Sequence, residues 1–400
     1  MKPSRLRFAS RMQDLRASDI REILKVTQQP EVISFAGGLP ASELLPAAEM
    51  AELARDVLSE DGVRALQYAP TEGLQPLREQ IADRLRRLWG LRRSMDEVLI
   101  VSGSQQALDL TGKVFLDEGD VVLCESPTYL GAISAFRAYR PTFVEVPTDD
   151  DGMVPAELEA RLGSLDRVKL IYVVPDFQNP SGRRWTTERR RELAELAGRF
   201  GVPVIEDAPY AELCFEGEPL PPIASFHDVC TVVYLGTASK ILSPGMRLGW
   251  VVADSDLIRR YVLVKQGTDL HTSSLVQLLV SRFMLEHDLD AHIERIRDVY
   301  RRRRDAMLEA LEEHFPEDVG FTRPAGGLFL WVELPQGLDA RWLLERALEE
   351  HVAFVPGECF FPGGGHENTL RLNFSAMPEE RITEGIRRLG RVLSSVAVHA

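Results

Sequence analysis

Between residues 97 and 252 the chain alternates short β-branched runs with amphipathic stretches of helical period, and few architectures accept that pattern. Residues 97–101 read EVLIV, and the positions from Gly103 to about 116 then take helical spacing. Residues 121–124 form the next apolar run, followed by Pro127 and a helical stretch to about 139. Residues 142–146 alternate in polarity, and 169–174 (KLIYVV) stop at Pro175. Residues 186–200 are Arg/Glu-rich and amphipathic and stop at Gly201; 202–206, 229–235 and 249–252 are further strand candidates. Runs this continuously apolar belong to strands buried on both faces, as in a mostly parallel sheet covered by helices.

From about residue 288 the texture changes. A long charged helix is expected over 291–315, with the run Arg301–304 on its solvated face. A strand at 327–333, a helix at 339–351, a strand at 370–374 and a closing helix at 378–396 read as a smaller α+β unit. Near the start, 19–26 is expected to be helical, with Asp19 and Glu22 in capping-box spacing. Four hundred residues are long for one core, so two domains are expected. The division expected is an N-terminal segment (1–45) packing with the small domain, a large α/β domain (46–290) and a small C-terminal domain (291–400).

A net charge of −14 argues against nucleic acid as a partner, because phosphate binding needs a basic face. The short basic start (Lys2, Arg5, Arg7, Arg11) has no apolar stretch behind it and does not read as a secretory signal. No apolar run is long enough to span a bilayer, so no membrane partner is expected. Cys124, Cys214, Cys230 and Cys359 are widely spaced and read as reduced thiols of a cytoplasmic protein. The histidines show no metal-ligand spacing, and no metal site is expected.

The polar residues with chemical potential fall just after the expected strands, where ligands sit in open α/β sheets. Lys240 lies in Thr237-Ala238-Ser239-Lys240-Ile241-Leu242-Ser243-Pro244-Gly245-Met246-Arg247. An amine there can form a Schiff base with an aldehyde cofactor, while Arg247 and the hydroxyls hold an anionic phosphate. Ser104 and Gln105 open a helix after a glycine, a position suited to phosphate. Tyr129 offers a ring to stack on a planar heterocycle. The Asn179 amide, in a Pro/Asn/Gly turn, suits a phenolate oxygen, as does Tyr210. Asp207 beside a pyridine nitrogen would favour its protonated form; an opposite charge at close range shifts a pKa by ~1–3 units. Glu206 competes for that role but points to the other face of its strand. Each residue also has an ordinary reading: a turn lysine, a glycine turn, a half-buried tyrosine, a helix N-cap.

Taken in order, Ser102-Gly103-Ser104-Gln105-Gln106, Pro175–Gly182 with Asn179, Glu206–Tyr210 and Thr237–Gly249 resemble the fold-type I, pyridoxal-phosphate-dependent aminotransferases of class I/II, in particular the 2-aminoadipate, kynurenine and broad-range branch. The stretches SFAGGLP (34–40), QYAPTEG (67–73) and TLRLNFS (369–375) extend the likeness over nearly the whole chain; Ala238 stands where relatives often carry Phe or Ser. The resemblance implies an aminotransferase with pyridoxal 5′-phosphate, working by a ping-pong exchange with a 2-oxo acid such as 2-oxoglutarate. It makes Lys240 the Schiff-base lysine and proton carrier, and Asp207 the partner of the ring nitrogen. Tyr210 and Asn179 go to the phenolate, Tyr129 to the ring face, and Ser104, Gln105, Thr237, Ser239 and Arg247 to the phosphate. Tyr68 would reach the phosphate of a neighbouring subunit, implying a homodimer with shared sites. Arg371, with Asn179 and Gly38, would hold the substrate, and Arg21 its distal carboxylate. The same cofactor chemistry leaves a lyase as an alternative. A non-catalytic sensor domain is a remoter one, because the family-like region starts near residue 8 with no room expected for a DNA-binding module ahead of it.

Overall fold

A computed structural model describes residues 7–13, 29 and 31–397. Arg21 and the helix expected at 19–26 lie outside the described residues. Strand β1 (Ile33–Ser34) comes first; then β2 (Val98–Val101), β3 (Val121–Ser126), β4 (Thr142–Asp149), β5 (Gly152–Met153), β6 (Val168–Val173), β7 (Val204–Asp207), β8 (Val232–Thr237) and β9 (Gly249–Val252) build one sheet in the order β2-β9-β8-β7-β6-β3-β4-β5. β8, β7, β6, β3 and β4 run parallel, whereas β9 is antiparallel to both its neighbours, β2 and β8. The residues of β2, β7 and β8 are buried throughout, as strands covered on both faces must be.

The C-terminal part forms a second sheet from β10 (Gly320–Phe321), β11 (Phe329–Glu333), β13 (Val355–Pro356) and β14 (Thr369–Asn373), antiparallel in the order β10-β11-β14-β13. β12 (Val352–Ala353) pairs in parallel with β1 and so ties the N-terminal segment to this part.

Local chemistry sets the element ends. The helix Thr187–Phe200 starts where the Thr186 side chain accepts from Arg189 N, and stops at Gly201 in the left-handed region (φ 67°). Val202 N donates back to Ala197 O, and Pro203 has no N–H to give, so the strand expected at 202–206 begins at Val204. The strand expected at 229–235 begins at Val232, because the N–H groups of Val229 and Cys230 turn back to Phe226 O.

The long helix is Leu289–His314, and here an expectation fails. Arg303 and Arg304 are not on a solvated face; each is 4% exposed. Arg303 donates to Ser375 O and pairs with Glu43, and Arg304 donates to Pro324 O and pairs with Glu216 and Asp305. Arg301 reaches Phe215 O. The helix is wedged between loops whose spare carbonyls need donors, and charge alone in the sequence does not reveal that. None of the four cysteines is in a disulfide, and among the described residues no helix is long and apolar enough to cross a membrane.

A buried ion pair anchors the loop that leaves β6. Arg190, on Thr187–Phe200 and wholly buried, donates to Asp176 Oδ1 (2.7 Å) and Oδ2 (3.1 Å) and to the carbonyls of Pro175, Trp185 and Pro221. Removing one partner of such a pair strands the other charge, at a cost of ~3–5 kcal/mol. Asp176→Ala is therefore expected to lower the urea midpoint markedly in a Trp-fluorescence titration; an unchanged midpoint would show that the pair contributes nothing net.

Candidate active site

Because β2, β3, β6, β7 and β8 share a direction, their carboxyl ends lie along one edge of the sheet. β9 runs the other way, so its start lies on that same edge, with Gly249 opposite both Val101 and Thr237. This places Arg247 beside the loop after β2. A Cβ at Gly103 would lie 2.6 Å from Arg247 Nη2, and Gly103 has φ 81°, so both space and conformation call for glycine there. Gly103 caps the helix Ser104–Phe115, whose first N–H groups have no partner within the helix. The Gln105 side chain donates to Gly131 O (3.0 Å), leaving its backbone N–H for an anion.

Lys240 follows β8 in a tight turn in which Leu242 N and Ser243 N both donate to Ala238 O. Its Nζ donates to Gly38 O at 2.7 Å. Burial, with Arg371 and Arg247 adding repulsion, lowers its pKa to about 8. Thr237 Oγ1 lies 2.9 Å from Ser239 Oγ and donates to Leu248 O, so the two hydroxyls face the Arg247 end of the cleft as a pair.

Asp207 ends β7 and is buried. Its Oδ2 accepts from the Tyr172 hydroxyl (2.8 Å), and its Oδ1 has no partner among the described residues. Burial pushes its pKa up to about 7, against the pull of Tyr172. Glu206 lies on the other face as expected, accepting from Ile223 N and Ala224 N at 2.8 Å each. Asn179 lies in the loop after β6, which is fastened twice: by the Arg190–Asp176 pair and by buried Glu125. Glu125 accepts from Val174 N (2.8 Å) and Trp185 Nε1 (3.0 Å).

Arg371, on β14, is buried. Its Nη1 donates to Asn179 Oδ1 (2.8 Å), its Nη2 donates to Ala36 O (2.5 Å), and its Nε has no partner. The guanidinium lies 4.2 Å from the Phe329 ring centre and 5.1 Å from that of Phe360. Burial lowers its pKa to about 10, which leaves it a cation at neutral pH.

These side chains meet in one cavity of ≈ 390 Å³. It is lined by Gly38, Ser104, Gln105, Tyr129, Asn179, Asp207, Tyr210, Thr237, Ser239, Lys240, Arg247 and Arg371, which are twelve of the fourteen residues singled out from the sequence. Tyr68 is not among the lining residues; it is 78% exposed, edge-on to His271 at 5.6 Å. Arg21 lies outside the described residues. Phe329 and Tyr172 went unnoticed in the sequence. Only Tyr172 carries a local signal: it is a phenol in an otherwise apolar strand, and such a hydroxyl needs a partner.

A phosphorylated pyridine aldehyde suits this donor set. The unpaired Asp207 oxygen is an acceptor for a pyridinium N–H. The helix start beside Arg247, with Thr237 and Ser239, is an anion cradle that a Cβ at position 103 would invade. Lys240 is an amine poised near neutrality.

Comparisons with known proteins agree. Residues 30–389 match the sequence profile described as aminotransferase class I and II. The chain is 48% identical over 385 residues to a 2-aminoadipate transaminase of Thermus thermophilus, covering 96% of this chain and 95% of the relative. It is 44% identical over 390 residues to an aromatic-amino-acid aminotransferase of Thermococcus litoralis, covering 96% and 94%. Among solved structures, an α-aminoadipate aminotransferase from Thermus thermophilus, complexed with N-(5′-phosphopyridoxyl)-L-leucine, superposes with a TM-score of 0.91 at 46% identity, covering 98% of each chain.

The lowered pKa of Lys240 has a direct consequence. The neutral amine is the reactive form, so labelling of Lys240 by an amine-directed reagent should rise with pH to a plateau just above about 8. Ordinary lysines titrate near ~10.4. Peptide mass mapping across pH reads this out; a Lys240 profile superimposable on surface lysines would refute the depressed value.

Proposed function

The chain belongs to the class I and II aminotransferases, and from that premise we propose how its own residues divide the work. It is an aminotransferase dependent on pyridoxal 5′-phosphate. The observation that carries the proposal is the convergence of Lys240, Arg247, Arg371 and an unpaired Asp207 oxygen on one cavity.

Bound there, the cofactor supplies an aldehyde that accepts the substrate amine and a protonated ring that draws electrons from the substrate α-carbon. Asp207 Oδ1 would accept from the ring nitrogen and keep its proton in place. Tyr210 and Asn179 would donate to the ring oxygen, and Tyr129 would meet the ring face. Arg247, Thr237, Ser239 and the N–H groups of Ser104 and Gln105 would hold the phosphate. Arg371 takes the substrate α-carboxylate. Its guanidinium is held by Asn179 Oδ1 and Ala36 O and lies against the Phe329 and Phe360 rings, so the carboxylate meets a donor already oriented. Gly38 and Asn179 complete the substrate wall. Lys240 Nζ then removes the proton from the substrate α-carbon, a task suited to an amine whose pKa is about 8.

We also propose a homodimer, in which the exposed Tyr68 reaches the phosphate of the neighbouring subunit. The domains proposed are those expected from the sequence: 1–45 with the small domain, 46–290 and 291–400. The amino donors proposed are 2-aminoadipate, glutamate, leucine or aromatic amino acids, with 2-oxoglutarate as acceptor; two relatives are named for 2-aminoadipate and for aromatic amino acids, and one solved structure holds a phosphopyridoxyl-leucine. A cytoplasmic location is proposed with them.

Two experiments test this reading. The visible band of the loaded protein should be lost on adding L-glutamate and return with 2-oxoglutarate, and Lys240→Ala should lose amino transfer by ~10²–10⁴-fold or more; wild-type turnover by that variant refutes the assignment. The second experiment compares Arg21→Ala with the parent on a substrate panel. Loss confined to 2-aminoadipate and glutamate, with leucine retained, fits a distal-carboxylate contact; equal losses throughout count against it.

A further inference from the structure

We propose that Tyr172 is the positioning residue for Asp207: its hydroxyl ties back one carboxylate oxygen and leaves the other as an ionised acceptor at the cavity. The inference rests on the reading above, in which Asp207 faces the ring nitrogen.

The geometry follows from strand pairing. In the parallel register of β6 and β7, Tyr172 lies opposite Ile205, and Asp207 is two residues beyond Ile205. Side chains two apart on a strand share a face, so Tyr172 and Asp207 are diagonal neighbours on the same side of the sheet. The Tyr172 hydroxyl donates to Asp207 Oδ2 at 2.8 Å. Tyr172 is 1% exposed, and its ring is held edge-on to Phe136 (centres 5.9 Å apart, 83°). Asp207 lines the cavity and Tyr172 does not, so the phenol acts from behind the carboxylate. Oδ1 is left with no partner among the described residues.

Burial makes that one hydrogen bond matter. A desolvated carboxyl favours its neutral form, and a neutral acid cannot pair with a pyridinium. The ionisable groups around Asp207 are Tyr172 on β6, Tyr234 on β8, and Tyr129 and Tyr210 beside the cavity. Of these, Tyr172 is the one whose hydrogen bond pulls the Asp207 pKa down against burial. The other oxygen therefore stays available for the ring. A tyrosine that merely filled the core would have no such influence, so the two roles separate experimentally.

The variant is Tyr172→Phe, which keeps the ring against Phe136 and removes one oxygen. In the full-length apo protein with ¹³C-carboxyl aspartate, Glu125 and Glu206 are silent, and the Asp207 signal is the one missing in Asp207→Asn. Removing a hydrogen bond to a charged group is expected to raise the proton affinity of Asp207 about tenfold or more. In the loaded enzyme, a ¹⁵N label on the pyridoxal phosphate ring nitrogen should show a smaller protonated fraction at neutral pH in the variant than in the parent, because the more basic carboxylate draws the shared proton toward itself. The dissociation constant for pyridoxal phosphate should weaken by about tenfold, and the same change should have under about a twofold effect in an Asp207→Asn background. An unshifted Asp207 titration, or an equal loss in the Asp207→Asn background, overturns the positioning role. If Asp207→Asn itself binds pyridoxal phosphate as tightly as the parent and leaves the ring-nitrogen signal unchanged, the assignment of Asp207 to the ring falls, and this inference with it.

Discussion

A parallel sheet covered by helices on both faces has one place for polar chemistry, the ends of its strands. β2, β7 and β8 are buried along their whole length, so the groups that line the cavity lie at or just past the carboxyl ends of the strands. The reversed strand β9 sharpens this. Inserted between β2 and β8 with opposite polarity, it starts where they end, and so delivers Arg247 to Gly103 and Thr237. One reversed strand thus brings three segments of sequence together at the site proposed for the phosphate.

Burial then tunes what the edge presents. Lys240 is shifted down toward neutrality and Asp207 up toward it, each because the cavity wall disfavours its charged form. A shift of two to three units corresponds to ~3–4 kcal/mol of differential stabilisation between protonation states. That strain is useful. An amine held near neutrality is a better base and nucleophile than a surface lysine, and a desolvated carboxylate gains more from meeting a cationic ring than a hydrated one would. Arg371 keeps its charge despite burial, and its two aromatic neighbours favour the cationic form.

The loops bearing these groups are held by buried pairs. Asp176–Arg190 and Glu125 fasten the Asn179 loop, and the arginines of Leu289–His314 fasten the segments after Tyr210 and Arg371. Arg303 reaches both Ser375 O and Glu43, and Ser375 Oγ donates to Leu39 O, so the N-terminal segment over Lys240 is tied to the strand bearing Arg371. The substrate end of the cavity is thereby coupled mechanically to the small sheet.

Strand and helix types, the parallel character of the large sheet and most of the residues lining the cavity were legible in the sequence, because period-2 and period-3.6 burial and turn chemistry are local properties. The order of the motifs along the chain also carried the family. Strand starts slipped by two or three residues at Val204 and Val232, where backbone bonds from the preceding turn decide which N–H is free. The burial of Arg303 and Arg304 was not legible, since a run of arginines reads as solvated until the carbonyls that receive it are placed. Nor were Phe329 under Arg371 and Tyr172 behind Asp207, because each acts across strands distant in sequence. The sequence alone determined which residues have the chemistry and that they sit at strand ends. The tertiary structure decided their ionisation and orientation, because desolvation and hydrogen-bond partners come from neighbours that only folding brings within a few ångströms.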